Sequence, residues 1–299
     1  MKEYFENKNK YRELEAADVK TLFPERSGEC NKADFGYVAL VGGSLEYSGA
    51  IRLAGLANAA ARSGAGVVSA AVPRGIARIV AGAVLECTVF PLSDSDGEFV
   101  FNEEEFEKLC RRYKTIAFGM GIGNTDETLK ALEYLLQNYN GVLIVDADGL
   151  NAMSKLDVGA IKESGAKLVL TPHLKEFSRL SGCSIEEIKK NPSGLAKELA
   201  KSLGAIVLLK GAESYITDGE AVYINRRGCA GMATAGSGDV LSGILAAVCA
   251  SNEARLLLAA AGGAWINGAA GELAQQKNGA VSMLAGDTAA CIKDVILSL

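Results

Sequence analysis

Short apolar runs alternate with longer stretches rich in alanine, leucine and charged residues. Six runs are apolar almost throughout, a pattern typical of strands buried on both faces of a parallel sheet: residues 37–41, 67–72, 115–118, 142–146, 167–170 and 205–209. The intervening stretches predict helices over residues 49–63, 126–138 and 193–203, and Ser184 and Glu187 form a capping-box pattern at another helix start. Repeated strand–helix–strand units predict an α/β fold, with a doubly wound, mostly parallel central sheet between two layers of helices.

The pattern changes after residue 209. Residues 213–217 and 221–225 flank Asp218-Gly219, which predicts a hairpin with a two-residue turn. Helices are predicted over residues 237–250 and 253–276, followed by a last helix that ends at Leu299. Since no linker or repeat interrupts the chain, we expect one domain over residues 31–299, with residues 1–30 as an accessory N-terminal segment.

Charge and cysteine content narrow the function classes. Lys and Arg total 31 against 36 for Asp and Glu, without basic blocks, which argues against a nucleic-acid or anionic membrane partner. No apolar run approaches the roughly 18 residues of a membrane span, and the alternating charge signs of the first twenty residues are not those expected of a secretory signal. Seven cysteines without a Cys-x-x-Cys pair, and a single histidine, argue against disulfides and a zinc site. We therefore expect a cytoplasmic location.

Glycine and polar residues follow strand after strand. Because ligands of open α/β sheets bind beyond the carboxyl ends of the strands, these segments predict a functional rim at that edge. They are Gly42-Gly43-Ser44, Gly119 to Asn124, Asp146 to Asn151, Thr171 to Glu176, Lys210 to Ser214 and Gly231 to Asp239.

The last of these segments carries the most specific chemistry. Thr234, Gly236, Ser237 and Gly238 are small enough to bring several backbone N–H groups together at a helix N-terminus, which favours phosphate binding. Asp239, in the first turn, is then placed to take a proton from a group beside that phosphate. The alternative is that Asp239 only caps the helix, and the string alone favours that alternative. It lacks the Lys of a Walker A loop, and the glycines near residue 42 lack dinucleotide-fingerprint spacing.

Other rim residues leave two interpretations open. His173 is either a hydrogen-bond donor to a ligand or a structural histidine, and Lys210 is either a phosphate contact or a solvated lysine. Asp146 and Asp148 are either water-mediated Mg²⁺ ligands or helix-capping residues, with capping favoured for Asp148. Cys229 has no histidine available to activate it as a nucleophile.

As a set, these strings resemble the ribokinase-like superfamily, and more narrowly its ADP/ATP-dependent NAD(P)H-hydrate dehydratases. The resemblance covers about residue 32 to the C-terminus. It is carried by Asp34-Phe-Gly36, Val41-Gly-Gly-Ser44, Ser48-Gly-Ala50 with Arg62-Ser-Gly-Ala-Gly66, Gly119-Met-Gly-Ile-Gly123, Val145-Asp-Ala-Asp-Gly-Leu-Asn151, Leu170-Thr-Pro-His173 with Glu176-Phe177, Leu209-Lys-Gly211 and Gly231 to Leu241. It implies a three-layer fold and a stand-alone dehydratase without the epimerase domain that is often fused N-terminally, and that epimerase becomes a separate partner.

The resemblance also implies the reaction. The enzyme would remove water from the (6S) hydrate of NADH or NADPH, coupled to hydrolysis of ADP to AMP and phosphate, with Mg²⁺ on the nucleotide and ATP as the less favoured co-substrate. The adenine nucleotide would be bound by Gly238 and by Lys210, Gly211, Ala212, Glu213 and Ser214. The hydrated ring would lie against Ala50, Gly121 (with Gly123 as second choice), His173 and Asp239, and Asp239 would be the general base. The family is commonly tetrameric, so we expect a homo-oligomer.

Two departures and three competing functions accompany the resemblance. Ser237 stands where the family more often has threonine, and Lys175 stands where glycine is common. The runner-up function is a kinase of the same fold acting on a thiazole or hydroxymethylpyrimidine alcohol. A non-catalytic nucleotide sensor would not need Asp239, and the missing fingerprint disfavours an NAD-dependent dehydrogenase.

Overall fold

The computed structural model describes residues 11–23, 25–26, 28–55 and 59–299, without the side chains of residues 54 and 55. Within these ranges, ten strands form one sheet in the order β1-β12-β11-β10-β9-β8-β7-β2-β3-β4, and β5 and β6 form a separate hairpin. The strands are β1 Arg12–Glu13, β2 Tyr37–Gly42, β3 Val67–Pro73, β4 Thr88–Leu92, β5 Asp94–Ser95, β6 Glu98–Phe99, β7 Thr115–Met120, β8 Val142–Val145, β9 Lys167–Leu170, β10 Ile206–Leu209, β11 Ser214–Thr217 and β12 Val222–Asn225.

Strand pairing is parallel from β4 through β3, β2, β7, β8 and β9 to β10, and antiparallel from β10 to β11 and from β11 to β12. The six predicted strands are confirmed to within about one or two residues as β2, β3, β7, β8, β9 and β10. The sequence did not predict β4, in which only Leu92 is fully buried and which includes Pro91. A proline suits this edge position, because an edge strand has N–H groups without a ladder partner.

Helices cover both faces of the sheet. They are α1 Ala16–Lys20, α2 Ser48–Gly55, α3 Ala59–Arg62, α4 Arg74–Ala81, α5 Glu103–Arg112, α6 Asp126–Asn138, α7 Asp148–Met153, α8 Val158–Lys162, α9 Leu174–Ser181, α10 Ile185–Lys190, α11 Pro192–Leu203, α12 Ser237–Ser251, α13 Leu256–Asn278 and α14 Ala285–Leu297. Two apolar clusters fill the two sheet–helix layers: one contains α12, α13 and α14, and the other contains α5, α6 and α11. The predicted three-layer α/β/α architecture is confirmed.

Three predicted boundaries differ from the structure. The hairpin loop between β11 and β12 has four residues, because Thr217 pairs with Val222 and the Asp218 carboxylate accepts the N–H groups of Glu220 and Ala221 at 2.9 Å each. The chain after residue 252 begins as a 3₁₀ turn, and the last helix ends at Leu297. Of the predicted helix 49–63, residues 56–58 lie outside the described residues.

The N-terminal segment packs into the domain where it is described. β1 pairs with β12 at the edge of the sheet, and Leu14, Val19 and Leu22 are buried in the same core as α12 and α13. A Cβ on Gly262 of α13 would lie 2.2 Å from Leu22 Cδ1, so this glycine makes room for the leucine. Residues 11–23 therefore extend the core of the domain rather than standing apart from it.

The long C-terminal helices are apolar because they are enclosed by protein. In the described chain, no single helix is long and apolar enough to cross a bilayer; residues 237–251 and 253–278 pass that test only as a pair, and the pair is bent by 107°. Ten consecutive residues of α12, from Val240 to Cys249, are buried between the sheet and its neighbouring helices.

Candidate active site

A buried ion pair lies at the carboxyl ends of β8 and β10. Lys210 Nζ is 2.8 Å from Asp146 Oδ1, and Ser242 Oγ of α12 donates to Asp146 Oδ2 at 2.7 Å. Burial raises the pKa of Asp146, but the charge and hydrogen bond of Lys210 outweigh it and hold that pKa below its ordinary value. Lys210 is therefore a paired strand-end residue with its ammonium inside the rim, rather than a solvated lysine.

The predicted phosphate-binding loop adjoins this pair. Gly236 is the N-cap of α12 in the left-handed conformation, with φ of 91°, and a Cβ there would lie 2.3 Å from Leu53 Cδ1. Two steps on, a Cβ on Gly238 would be 3.7 Å from Lys210 Nζ. Ser237 Oγ is buried and has no hydrogen-bond partner among the described residues. A helix N-terminus beside an ammonium group is suited to hold phosphate oxygens.

Asp239 lies in the first turn of α12, as predicted. Its side chain is largely enclosed, and burial together with the nearby charge of Asp146 raises its pKa to about 7, while Lys210 lowers it. A carboxyl group with a pKa near neutrality is suited to accept a proton at physiological pH. The chemical interpretation of Asp239 is consistent with this environment.

His173 is the N-cap of α9. Its Nδ1 accepts the N–H groups of Lys175 and Glu176 at 3.1 Å each, which leaves Nε2 to carry the proton of the neutral ring. Burial, followed by the charge of Lys210, lowers the pKa of His173. The ring therefore has a structural role through Nδ1, and its side chain is half exposed.

Glu176 is a buried carboxyl group that the residue-by-residue prediction did not include. Its Oε2 accepts the backbone N–H of His173 at 2.8 Å, and its Oε1 lies 3.4 Å from His173 Nε2. Burial raises the pKa of Glu176 to about 7 in spite of Lys210, which lowers it. The signal was present as a capping-box spacing from His173, but that spacing alone does not distinguish a cap from a functional carboxyl.

The predicted dinucleotide side lies where α2 meets the loop after β7. Gly121 has a φ of 63°, and a Cβ there would lie 2.9 Å from Ala50 Cβ and 2.8 Å from Tyr47 Cβ. Gly123 donates its N–H to Asp148 Oδ2 at 3.0 Å. The structure therefore brings Ala50 and Gly121 into contact, and it gives Asp148 the task of fixing the glycine loop.

A cavity of about 890 Å³ extends from the phosphate loop to α13. It is lined by most of the residues predicted for the nucleotide, namely Lys210, Gly211, Ala212, Ser214, Thr234, Ser237 and Gly238, and by His173. Its other walls were not predicted from sequence and include Asn225, Arg227, Cys229, Asn267 and Gly268. The volume is in the range of small-molecule sites.

Not every predicted nucleotide residue faces this cavity. The Glu213 carboxylate turns outward to Arg226 Nε at 2.7 Å and to the Tyr215 hydroxyl at 3.0 Å. Gly236 shapes the loop from behind, against Leu53. Ala50, Gly121, Gly123 and Asp239 are not among its lining residues, so the site has a nucleotide side and a separate side at the glycine loop.

Comparison with solved structures defines the class of protein. A ribokinase-like superfamily protein from Enterococcus faecalis superposes with a TM-score of 0.82 over 96% of both chains at 23% identity, which shows the fold. The ADP/ATP-dependent NAD(P)H-hydrate dehydratase from Bacillus subtilis, co-crystallised with ATP and Mg²⁺, gives a TM-score of 0.80 at 26% identity over 95% of this chain and 97% of that one. The chain thus has a ribokinase-like α/β fold.

Sequence comparison identifies the family within that class. Residues 38–294 match the NAD(P)H-hydrate dehydratase family. The bifunctional NAD(P)H-hydrate repair enzyme of Moorella thermoacetica is 38% identical over 92% of this chain and 52% of its own length, and the ADP-dependent (S)-NAD(P)H-hydrate dehydratase of Cenarchaeum symbiosum is 35% identical over 88% and 89%. This chain belongs to the NAD(P)H-hydrate dehydratase family. It spans about half the length of the bifunctional relatives.

Proposed function

We propose that this protein restores the (6S) hydrates of NADH and NADPH to NAD(P)H, with conversion of ADP to AMP and phosphate. The observation that carries the proposal is Asp239, a partly buried carboxyl group in the first turn of α12, beside Lys210 and Asp146, with a pKa raised to about 7. Family membership supports the substrate, and the names of the Cenarchaeum and Bacillus proteins support the dependence on ADP or ATP.

The chemistry is a phosphoryl transfer followed by an elimination. Hydroxide is a poor leaving group, whereas phosphate leaves readily. Asp239 takes the proton of the ring hydroxyl while the hydroxyl oxygen attacks the terminal phosphorus of ADP. The bond between that phosphorus and the bridging oxygen breaks, and AMP leaves with the oxygen. The ring carbon–oxygen bond then breaks, phosphate departs, and the adjacent ring carbon loses a proton to form the double bond.

The chain's own residues supply the electrostatics for this sequence. The backbone N–H groups at the start of α12 face the phosphate as charge develops on it, and Lys210 adds a positive charge from the cavity wall. Gly121 and Ala50 provide a surface against which the hydrated ring packs, and His173, which lines the nucleotide cavity, keeps Nε2 as a hydrogen-bond donor.

Mg²⁺ fits this site as an ion bound with the nucleotide. In the described part of the chain, no group of three or more His, Cys, Asp or Glu side chains is arranged to hold a metal ion. Mg²⁺ commonly uses one or two carboxylates together with substrate phosphates, and Asp146 and Glu176 are the buried carboxyl groups near Lys210 that would be the nearest protein partners of such an ion. When bound, Mg²⁺ would neutralise part of the phosphate charge.

The proposal extends to cellular context. Five cysteines, at positions 110, 183, 229, 249 and 291, are free thiols, which supports a reducing cytoplasm. The fused relatives support a separate NAD(P)H-hydrate epimerase as a working partner. Because the chain resembles the ADP/ATP-dependent NAD(P)H-hydrate dehydratases, we also propose a homotetramer, a preference for ADP over ATP and a carbon–oxygen lyase activity.

The first experiment is absorbance at 340 nm of chemically hydrated NADH mixed with protein, Mg²⁺ and ADP. Hydration destroys the reduced-nicotinamide absorption, so repair restores it. The rise should require ADP and should fall by about 10²–10⁴-fold in Asp239→Asn. Asp287→Asn is the matched control, because Asp287 is also the third residue of its helix but only caps α14, by accepting the Leu284 N–H at 2.8 Å.

The alternatives predict different results. No rise with either ADP or ATP would favour the ribokinase-like kinase acting on a small alcohol. A non-catalytic nucleotide sensor would be favoured if the wild type shows no turnover and Asp239→Asn binds nucleotide as the wild type does. Single-turnover experiments with ADP labelled on its terminal phosphate test the phosphorylated intermediate, and persistent absence of label on the substrate would count against it.

A further inference from the structure

The loop between β12 and α12 forms one wall of the nucleotide cavity. Seven of its residues line the cavity: Arg227, Gly228, Cys229, Ala230, Met232, Ala233 and Thr234. The loop contains a 3₁₀ turn at Ala230–Met232 but belongs to no strand or long helix. A segment without a continuous ladder of backbone hydrogen bonds depends on neighbouring elements for a fixed conformation.

One face of α13 is shaped to receive this loop. Four residues at the spacing i, i+3, i+4 and i+7 share that face: Gly268, Gly271, Glu272 and Gln275. A Cβ on Gly268 would lie 2.4 Å from Arg227 O, and a Cβ on Gly271 would lie 2.2 Å from Met232 Sδ. The two glycines therefore allow the loop to approach the helix closely, and the two polar residues beside them are placed to bond its backbone.

Glu272 makes the larger set of these bonds. Its Oε1 accepts the backbone N–H of Gly228 at 2.8 Å, and its Oε2 accepts Arg227 Nε at 2.8 Å and Arg227 Nη2 at 2.5 Å. The Arg227 guanidinium also lies 4.8 Å from the centre of the Trp265 ring. Bidentate bonds between a guanidinium and a carboxylate are among the stronger and more directional hydrogen bonds in proteins. Glu272 itself is not among the residues that line the cavity, so it acts on a ligand there only through the loop.

Gln275 is a second anchor one turn further along α13. Its Oε1 accepts the backbone N–H of Gly231 at 2.9 Å. Between the two anchors, Cys229 Sγ lies 3.2 Å from Gly271 O. The helix thus holds the loop at residues 228, 229 and 231, shortly before Thr234 and the start of α12.

We propose that Glu272 and Gln275 are positioning residues that keep the β12–α12 loop in the conformation that binds the adenine nucleotide. Without these anchors the loop would occupy the binding conformation for only a fraction of the time, and the apparent affinity for the nucleotide would fall by that fraction. The hydrated dinucleotide packs against Ala50 and Gly121, so its binding should be affected much less. This inference rests on the proposed function for the identity of the nucleotide, and it adds residues that act on the nucleotide from behind the cavity wall.

The test is calorimetric titration of the intact protein with ADP and Mg²⁺. In Glu272→Ala both the charge and the acceptor are lost, and the Kd for ADP should rise about tenfold or more. Glu272→Gln keeps an oxygen for the Gly228 N–H but loses the charged pair with Arg227, so its Kd should lie between those of Glu272→Ala and the wild type. Gln275→Ala should also weaken ADP binding, whereas Gln275→Glu keeps the acceptor for Gly231 and should restore it. Thermal unfolding of each variant checks that it is folded.

Glu13→Ala is the matched control. Glu13 Oε2 lies 2.8 Å from Arg226 Nη1, so this variant also breaks a Glu–Arg pair, and it does so at the residue next to Arg227. Arg226 is not among the lining residues of the cavity. Glu13→Ala should therefore bind ADP as the wild type does. A folded Glu272→Ala with the wild-type Kd would overturn the proposal, as would an equal rise in Kd in Glu13→Ala.

Steady-state rates distinguish positioning from a general loss of structure. Glu272→Ala should raise the KM for ADP, while the KM for hydrated NADH stays within about twofold of the wild-type value. Equal increases in both KM values would show that the whole domain is disturbed, and the positioning role would be refuted.

The two assays together separate this inference from the proposed function. If the titrations give the expected order of Kd values but hydrated NADH is not repaired, the proposed function fails and the positioning role stands. If repair requires ADP but Glu272→Ala binds ADP as the wild type does, the proposed function stands and the positioning role is refuted.

Discussion

Lys210 Nζ lies 2.8 Å from Asp146 Oδ1, and the two charges act in opposite directions on a third group, the carboxyl of Asp239. Burial raises the pKa of Asp239 most, Asp146 raises it further, and Lys210 lowers it, so that it reaches about 7. The pair thus tunes the proposed base, in addition to the positive charge that Lys210 presents to the cavity. Its two members cannot be exchanged for neutral residues without moving that pKa.

The pH dependence of repair should report this arrangement. Asp239 acts as a base only when ionised, so kcat/KM for hydrated NADH should rise with pH and level off above about pH 7. In Asp146→Asn the negative charge that raises the pKa is removed and the opposing charge of Lys210 remains. The acid limb should therefore move to lower pH, which a series of initial rates between pH 5 and 8 would measure.

Two variants control this experiment. Ser242→Ala removes a hydrogen bond to Asp146 but leaves its charge, so its acid limb should stay near that of the wild type. Glu176 also has a pKa raised to about 7, and Glu176→Gln should therefore keep an acid limb if Asp239 is the base. If the decrease of kcat/KM at acid pH disappears in Glu176→Gln, then Glu176, and not Asp239, is the group whose ionisation causes it.

Gly236→Ala should damage the nucleotide side. The residue has a φ of 91°, and its new Cβ would lie 2.3 Å from Leu53 Cδ1, so the start of α12 must shift or strain. We expect the Kd for ADP to rise at least tenfold in calorimetric titration. Gly286→Ala in α14 has no atom within 4 Å of its new Cβ and should bind ADP normally. Normal ADP binding by a folded Gly236→Ala would show that the loop does not hold the phosphate.

Gly121→Ala should act on the other substrate. Its new Cβ would meet Ala50 and Tyr47 at 2.9 and 2.8 Å, whereas a Cβ on Gly123 would meet nothing closer than 3.6 Å. Both glycines have positive φ, so alanine strains the backbone at either position. Only alanine at position 121 also crowds its neighbours. Steady-state rates should show a larger increase in KM for hydrated NADH in Gly121→Ala than in Gly123→Ala, with the KM for ADP little changed. The reverse order would make Gly123 the ring contact.

The sequence was sufficient for the parallel part of the sheet because buried strands such as residues 142–145 and 206–209 are apolar on both faces, and few other structures require that pattern. It was insufficient for β4 and β1, which lie at the edges. Edge strands are short or partly exposed, and Arg12–Glu13 has no apolar periodicity at all. Their pairing depends on tertiary contacts that no local pattern records.

The candidate active site was also predicted only where a local sequence pattern marks its residues. Residues that follow strands, such as Lys210 and His173, were found because the topology places all strand ends at one edge. Asn267 was not found, since it lies in the middle of a long apolar helix where a single polar residue has no periodic meaning. The raised pKa of Glu176 was equally invisible, because it arises from burial rather than from the residues beside it in sequence.

The described part of the N-terminal segment should contribute to stability. Leu22 is 1% exposed and fits against Gly262 of α13, so Leu22→Ala removes packed methyl groups that α13 cannot close over. We expect a loss of about 2–5 kcal/mol in the free energy of unfolding, measured by denaturant titration. Leu297→Ala makes the same chemical change at a side chain that is 82% exposed and should cost within about 0.5 kcal/mol. Equal costs for the two variants would show that residues 11–23 are dispensable to the core.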